Sequence, residues 1–366
     1  MEELSTIYKV SILGFFLGIG FGAVAQKTHF CTMGAISDIY IFGDWNRFRS
    51  WVLAISAAII GSQALHLTGI IDLTESIYLS AHLGWGGAVI GGLIFGFGMT
   101  LGGGCGNKTL VRLGAGNLKS LLVALFIGLF SYMTLRGLIG LFRLELEGVT
   151  TLDLSLWELE SQGIQGFLLA AGANLVIANV LPIIIIAGGG LLFCFKCKRF
   201  RNSSTDIIAG IFVGSCVPIG WYITGVIGSD EFDPTVLSSL SFIAPVGESL
   251  QFLLTFTGSS INFGIAVVGG IILGSFIAAK LSGEFQVEAF TGASDMINHI
   301  IGGSLMGVGG VLALGCTIGQ GVTGMSTLAF GSVIALVSIW GGGIFGMKYL
   351  EEGTIKNAAK SFFNKG

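Results

Sequence analysis

Residues 91–106 read GGLIFGFGMTLGGGCG and residues 302–317 read GGSLMGVGGVLALGCT. The leading glycine pairs, Gly96 with Gly307, Gly98 with Gly309, and Cys105 with Cys316 all stand at one offset of 211 residues. A second pair of stretches, GFFLGIGFGAVAQ from residue 14 and GIFVGSCVPIGWY from residue 210, matches in glycine placement and opens each half of the chain. Outward from these lie apolar runs at 7–42, 50–71, 84–112, 119–140, 165–195, 206–228, 260–281, 295–327 and 331–347. Runs of about 20 apolar residues span a bilayer as helices, so the count is nine, grouped as four, one and four. One crossover between two even-numbered units turns the second unit upside down, the plan of many secondary transporters. The expected fold is an all-α polytopic membrane protein of about nine transmembrane helices in an inverted pseudo-two-fold repeat. Its first half is 1–145, an outer interfacial segment and crossover helix fill 146–205, and a second half with a cytoplasmic tail covers 206–366.

Composition agrees. Of 366 residues 52% are hydrophobic and 11% charged, with 60 Gly against 4 Pro, and the mean hydropathy is +0.86. A soluble domain carries about 25% charged residues, and disorder needs low hydrophobicity, so both classes are excluded. Nucleic acid is excluded as a partner because the 18 Lys and Arg are dilute and no basic block exceeds KCKRFR at 196–201. Six cysteines in such a chain are not a disulfide framework. The opening MEELSTIYKV has no positive n-region and is expected to be retained. Cations fall at every second boundary: Arg47 and Arg49; Arg112 and Lys119; Lys196, Lys198, Arg199 and Arg201; Lys280; then Lys348, Lys356, Lys360 and Lys365. The alternate boundaries hold none, apart from Arg136 and Arg143 at one edge. Excess Lys and Arg mark cytoplasmic loops, so the N-terminus is expected outside and the C-terminus inside. DLSLWELE at 153–160 is expected at the outer interface.

Residues 7–42 would make a helix of about 54 Å against a hydrocarbon core of ~30 Å. The stretches QKTHFCTMG, GGGCGNKT and LGCTIGQG gather Gly, Thr, Gln and Asn inside long apolar runs. Such backbone survives in a membrane only when buried in protein or lining a cavity, which predicts broken or re-entrant helices meeting near the midplane. Helix termini aimed inward favour an anion. Each stretch carries one cysteine: Cys31, Cys105 and Cys316. A single buried cysteine is more often a small hydrophobe than a ligand, but three in three interrupted segments point to a soft, sulfur-bearing ligand. A metal site is disfavoured, since neither a CxxC nor a His pair accompanies them. A persulfide passed between thiols stays open, because Lys27 and His29 near Cys31, and Lys108 near Cys105, are cations that activate thiols. Lys27 and Lys108 are the candidate anion guides; Arg112 reads as a topology anchor. Gln26, Asn107, Thr317 and Gln320 either donate to a ligand or satisfy broken backbone. Cys194 and Cys197 in CFKC, and Cys216 in the Pro-containing break VGSCVPIG of the second half, near the counterpart of the first break, read as structural. So do Asp38 and Asp295 as caps, and His66, His82 and His299 as interfacial groups. No P-loop is present, so neither ATP hydrolysis nor any cofactor is expected.

QKTHFCTMGAISD, GGGCGNKTLVRLGAGNLKS, LGCTIGQGVTGMS and the late GSFIAAKLSGEFQ are similar to motifs of the YeeE/YedE family of membrane sulfur-compound transporters, over nearly the whole chain. The resemblance implies an hourglass-shaped inverted-repeat fold, no enzymatic activity, and thiosulfate uptake across the cytoplasmic membrane by relay along cysteines through S–H···S contacts. By motif match those cysteines are Cys31, Cys105 and Cys316. It also implies a small TusA-like cytoplasmic sulfur carrier as a partner, and it includes members with other sulfur or selenium cargo.

Overall fold

The computed structural model describes residues 5–157, 159–230 and 235–363; Lys365, counted above among the C-terminal cations, lies outside them. The chain is almost wholly helical. Helix α1 (Thr6–Thr28) stops at a left-handed His29 (φ 52°), and α2 (Thr32–Ser37) restarts at Cys31 and runs into a π turn to Phe42. After α3 (Asn46–Leu67), a π turn leads into α4 (Gly92–Leu101), which breaks at Gly102–Cys105 before α5 (Gly106–Gly114) and α6 (Leu118–Leu135). The middle of the chain holds α7 (Ile139–Thr150), α8 (Ile164–Ala170), and α9 (Leu175–Ile183), which continues through a π turn into α10 (Gly189–Lys196), followed by the single turn α11 (Lys198–Arg201). The second half comprises α12 (Ser204–Tyr222), α13 (Ile243–Leu254), α14 (Phe263–Ser282), α15 (Ala293–Leu312), α16 (Phe330–Glu352) and α17 (Ile355–Phe363).

Eight helices among the described residues are long and apolar enough to cross a membrane, in keeping with a multi-pass membrane protein. The expected run at 295–327 holds most of α15, whose first turns carry Ser294, Asp295, Asn298 and His299 and which is not among the eight. The helix Leu175–Lys196, expected as the crossover, is the most peripheral of the eight, with 17% of its 18-residue apolar window buried and Leu175, Ile184, Ile185 and Leu192 facing outward as lipid-facing side chains do. At DLSLWELE, Thr151–Asp153 pairs antiparallel with His82–Gly84 as a two-stranded ribbon, and Leu154–Trp157 makes a 3₁₀ turn with Leu154 buried.

The packing repeats between halves. α1 lies along α14 as α12 lies along α3; α6 lies along α15 as α16 lies along α4; α4 meets α15 and α1 meets α12 in the centre. The agreement extends to single hydrogen bonds. At the end of α4, Gly102 N, Gly103 N and Gly104 N donate to Gly98, Thr100 and Met99. At the end of α15, Ala313 N, Leu314 N and Gly315 N donate to Gly309, Val311 and Gly310, each pair 211 residues on. Gly103 (φ 69°) and Leu314 (φ 56°) are the left-handed residues of the two breaks. A leucine there is strained where glycine is not, which marks the third break as a position held by its surroundings.

The second half departs from expectation at its opening. Helix α12 continues without a break through Cys216 and Pro218, and the proline ring packs on Gly61 of α3, where a Cβ would meet Pro218 Cγ at 2.6 Å. Among the described residues the helical run ends at Ile227 and the next helix, the short α13, starts at Ile243; α13 falls outside the apolar runs read from the sequence.

Candidate functional site

All three breaks converge in the main buried cluster, which includes Cys31, Cys105 and Cys316 with exposures of 7%, 0% and 0%. The reason is local. Each cysteine stands just before a helical turn begins, where backbone N–H groups have no partner within the helix. Gly34 N points at Cys31 Sγ (3.5 Å) and Gly319 N at Cys316 Sγ (3.4 Å). The N–H groups of Lys108 and Thr32 gather at Cys105, and those of Ile318 and Phe242 join Gly319 at Cys316. Cys31 and Cys105 interact side chain to side chain, and Cys316 lies within electrostatic reach of Cys105. The thiols thus form a short series, each resting on positive backbone ends.

Polar groups between them are unfinished. Cys105 Sγ donates to Asn107 Oδ1 at 2.8 Å, while Asn107 Nδ2 has no partner. Thr32 Oγ1, next to Cys31, makes no directed hydrogen bond either, and Thr317 Oγ1 has just the weak Cys105 thiol within hydrogen-bonding reach. Seven buried side-chain polar atoms among the described residues are orphaned, and these three flank the three cysteines. Such groups cost about 1–3 kcal/mol each when left unpaired, so their clustering leaves bonding capacity that a polar ligand can complete.

At one end the series opens on a cavity of about 460 Å³, lined by Tyr78, Ser239, Ser241, Gly310 and Gly315 among others. Gly315 adjoins Cys316, and buried Tyr78 lies within electrostatic reach of it. At the other end stand Lys108, half-buried and within reach of Cys31 and Cys105, and behind it Arg112 and Arg47. Arg112 Nη1 donates to Gly103 O (3.0 Å), which places its charge at the break. Arg47 is ion-paired with Asp38 (3.2 Å), and its Nη1 packs so close to Gly34 that a Cβ there would meet it at 2.6 Å.

The structure therefore brings together Cys31, Cys105, Cys316, Asn107, Thr317 and Lys108. Lys27 is exposed at the end of α1. Gln26 Nε2 is engaged by Glu284 (3.0 Å), and Gln320 is held between Ala313 O and Ser332 Oγ at 2.6 Å each, bracing the third break. Cys194 donates to Arg49 O (3.1 Å), and Cys216 is sealed inside α12. Thr32, Tyr78, Arg47 and Phe242 join the site without having been singled out. Phe242 opens α13 as Cys31 opens α2, and only the late break could have revealed it.

A family model described as sulphur transport matches residues 27–345. The chain is 30% identical to the thiosulfate transporter TsuA of Escherichia coli over 335 residues, which is 86% of this chain and 88% of that protein. It is 29% identical to TsuA of Spirochaeta thermophila over 331 residues, 85% and 90% of the two chains. Over 102 residues, 27% of this chain and 23% of the other, it is 32% identical to the probable transporter YedE of Salmonella typhimurium.

Proposed function

We propose, for a chain that belongs to the sulphur transport family, that it carries thiosulfate inward across the cytoplasmic membrane along Cys316, Cys105 and Cys31. The observation that carries this reading is the set of orphaned donors beside the three buried thiols. Thiosulfate has a soft terminal sulfur and three hard oxygens. Thiols suit the first, while Asn107 Nδ2, the Thr32 and Thr317 hydroxyls and the helix-start N–H groups suit the second. The anion enters from the serine-lined cavity, loses water at the constriction and leaves past Lys108. Arg112 and Arg47 lie beyond.

In this reading α15 is the ninth crossing, the two halves (1–145 and 206–366) are an inverted pair, and residues 146–205 provide the crossover between them. The matched helix pairs and the caps repeated at 211 residues support the pairing. The basic boundaries face the cytoplasm and the N-terminus faces out. The chain performs no chemistry on its cargo, and a TusA-like carrier receives the sulfur on the inner side.

A second reading has one observation in its favour, the contact of Cys31 with Cys105 beside Lys108. There a cysteine thiolate takes the terminal sulfur of thiosulfate as a persulfide, with sulfite leaving. Growth of a thiosulfate-uptake-deficient bacterium on thiosulfate separates the outcomes. Rescue by this chain and not by its Cys105→Ala form is expected. Rescue by both would remove the cysteine relay. Mass spectrometry of the cysteine peptides after exposure tests the second reading, since only a persulfide adds one sulfur atom.

A further inference from the structure

The chain segment after α14 does more than connect. Glu284 N and Phe285 N bond back to Ala279 O, and Gln286 N reaches Ala115 O (3.3 Å) in the turn between α5 and α6. Leu118 N then donates to Glu288 O (3.0 Å). The Glu288 carboxylate accepts from Asn117 Nδ2 and pairs with Lys119 (3.5 Å), which also holds Asp295 (2.9 Å). Phe285 stacks edge-on against Phe276 (5.6 Å). The segment is thereby strapped along the end of the bundle where Lys108 and Arg112 lie. Its first side chain, Glu284, points back to the end of α1 and is held by Gln26 (3.0 Å).

Around His29 the charges of Lys108, Arg47, Arg112 and Glu284 are all within electrostatic reach. Asp38 answers Arg47 directly. No ion pair or hydrogen bond to the Lys108 ammonium appears among the described residues. Asp44 and Asp206 lie on the far side of Asp38, while the charged side chains that weigh most on Lys108, besides the two cysteines, are Arg112 and Arg47, which leaves the mouth electropositive and walled by a low-dielectric bundle that focuses the field.

We propose that this mouth is a second anion site, built from Lys108, Arg112 and Arg47 beside Cys31, that takes a small doubly charged oxyanion, and that Glu284 is the resident counter-charge such an anion displaces. The inference rests on the constriction being an anion path. In the empty protein the Glu284 carboxylate tempers the site, so that a departing anion is not trapped by unopposed cations. An anion leaving the cysteines meets Lys108 first, and Glu284, tethered only through Gln26 and the strap, yields its place. Anions entering backward meet that carboxylate before they meet the lysine.

The test uses purified full-length protein and two methanethiosulfonate reagents of similar size, one anionic and one cationic. Modification of Cys31 is read by peptide mass spectrometry. The anionic reagent is expected to react several-fold faster, Glu284→Gln to widen that preference, and inorganic sulfate to protect Cys31 more strongly in Glu284→Gln than in the wild type. Equal rates for the two reagents, a preference unmoved by Glu284→Gln, or no reaction at Cys31 while Cys197 reacts would each overturn the proposal. The charge preference is read on the wild type, so a variant that fails to fold leaves the test intact. Loss of thiosulfate rescue with this labelling pattern preserved would remove the proposed cargo and leave the anion site standing.

Discussion

Cys105 Sγ donates a hydrogen bond to Asn107 Oδ1 across 2.8 Å, and the amide nitrogen of the same Asn107 is buried without a partner. One side chain thus orients the thiol with its oxygen and offers a free donor with its nitrogen. Asn107→Asp keeps the acceptor for the thiol, removes the donor and adds a negative charge where an anion must pass. Radiolabelled thiosulfate uptake by this variant is expected to fall at least tenfold, about 1.4 kcal/mol of lost transition-state stabilisation or more, while membrane expression is retained. Uptake near the wild-type rate would exclude Asn107 from the path.

Thr317 offers a test in which stability and transport move in opposite directions. Its hydroxyl is fully buried with just the weak Cys105 thiol within reach, so Thr317→Val removes a poorly satisfied polar group at nearly constant volume. A melting temperature equal to or above that of the wild type is expected in detergent, together with reduced uptake. A destabilised variant would mean that the hydroxyl has a structural partner; a stable variant with full uptake would mean that it meets no ligand.

What the sequence made legible follows from its physics. The three breaks could be read because a bilayer tolerates glycine and polar residues inside long apolar runs only where protein or a cavity covers the backbone. The offset of 211 could be read because glycines at helix contacts tolerate little else. The late start of α13 was hidden because Pro218 looks like a helix breaker, whereas α12 continues through it with its ring packed on Gly61. Gln26 and Gln320 looked like ligand groups by composition. Their partners, Glu284 and the pair Ala313 and Ser332, lie far off in sequence or in a buried turn, and no spacing rule reveals them. Arg47 read as one of the boundary cations because its approach to the helix start after Cys31 depends on the turn at Gly43 and on the missing side chain of Gly34.

Cys197 is the one cysteine that is not buried, and it stands between α10 and α11. The Phe200 N–H, with the Arg199 N–H and the charges of Arg49 and Arg199, holds its thiol below the ordinary cysteine range. Since the thiolate is the nucleophile, a lowered pKa preserves reactivity as pH falls. Maleimide is expected to label Cys197 first of the six, with a half-maximal rate at a lower pH than for free cysteine. Labelling of Cys31 or Cys105 ahead of Cys197 would contradict the burial of the constriction.

Gly98 on α4 and Gly302 on α15 face each other so closely that a Cβ on either would stand 2.9 or 2.8 Å from the other's carbonyl oxygen. Backbone oxygens in packed helices cannot rotate away as a side-chain tip can. Gly302→Val therefore forces the two helices apart at the contact that positions the breaks before Cys105 and Cys316. Overpacking of this kind costs about 1–3 kcal/mol in a tight core, and here the displacement also falls on the site. Low yield of monodisperse protein and loss of uptake are expected together. Gly188→Ala and Gly189→Ala on the peripheral crossover helix are the matched controls, since a Cβ there meets nothing within 4 Å. They should be neutral, or more stable by up to about 1 kcal/mol from helix propensity alone. If Gly302→Val is as well behaved as these two, the close approach of α4 and α15 is not what holds the cysteines in register.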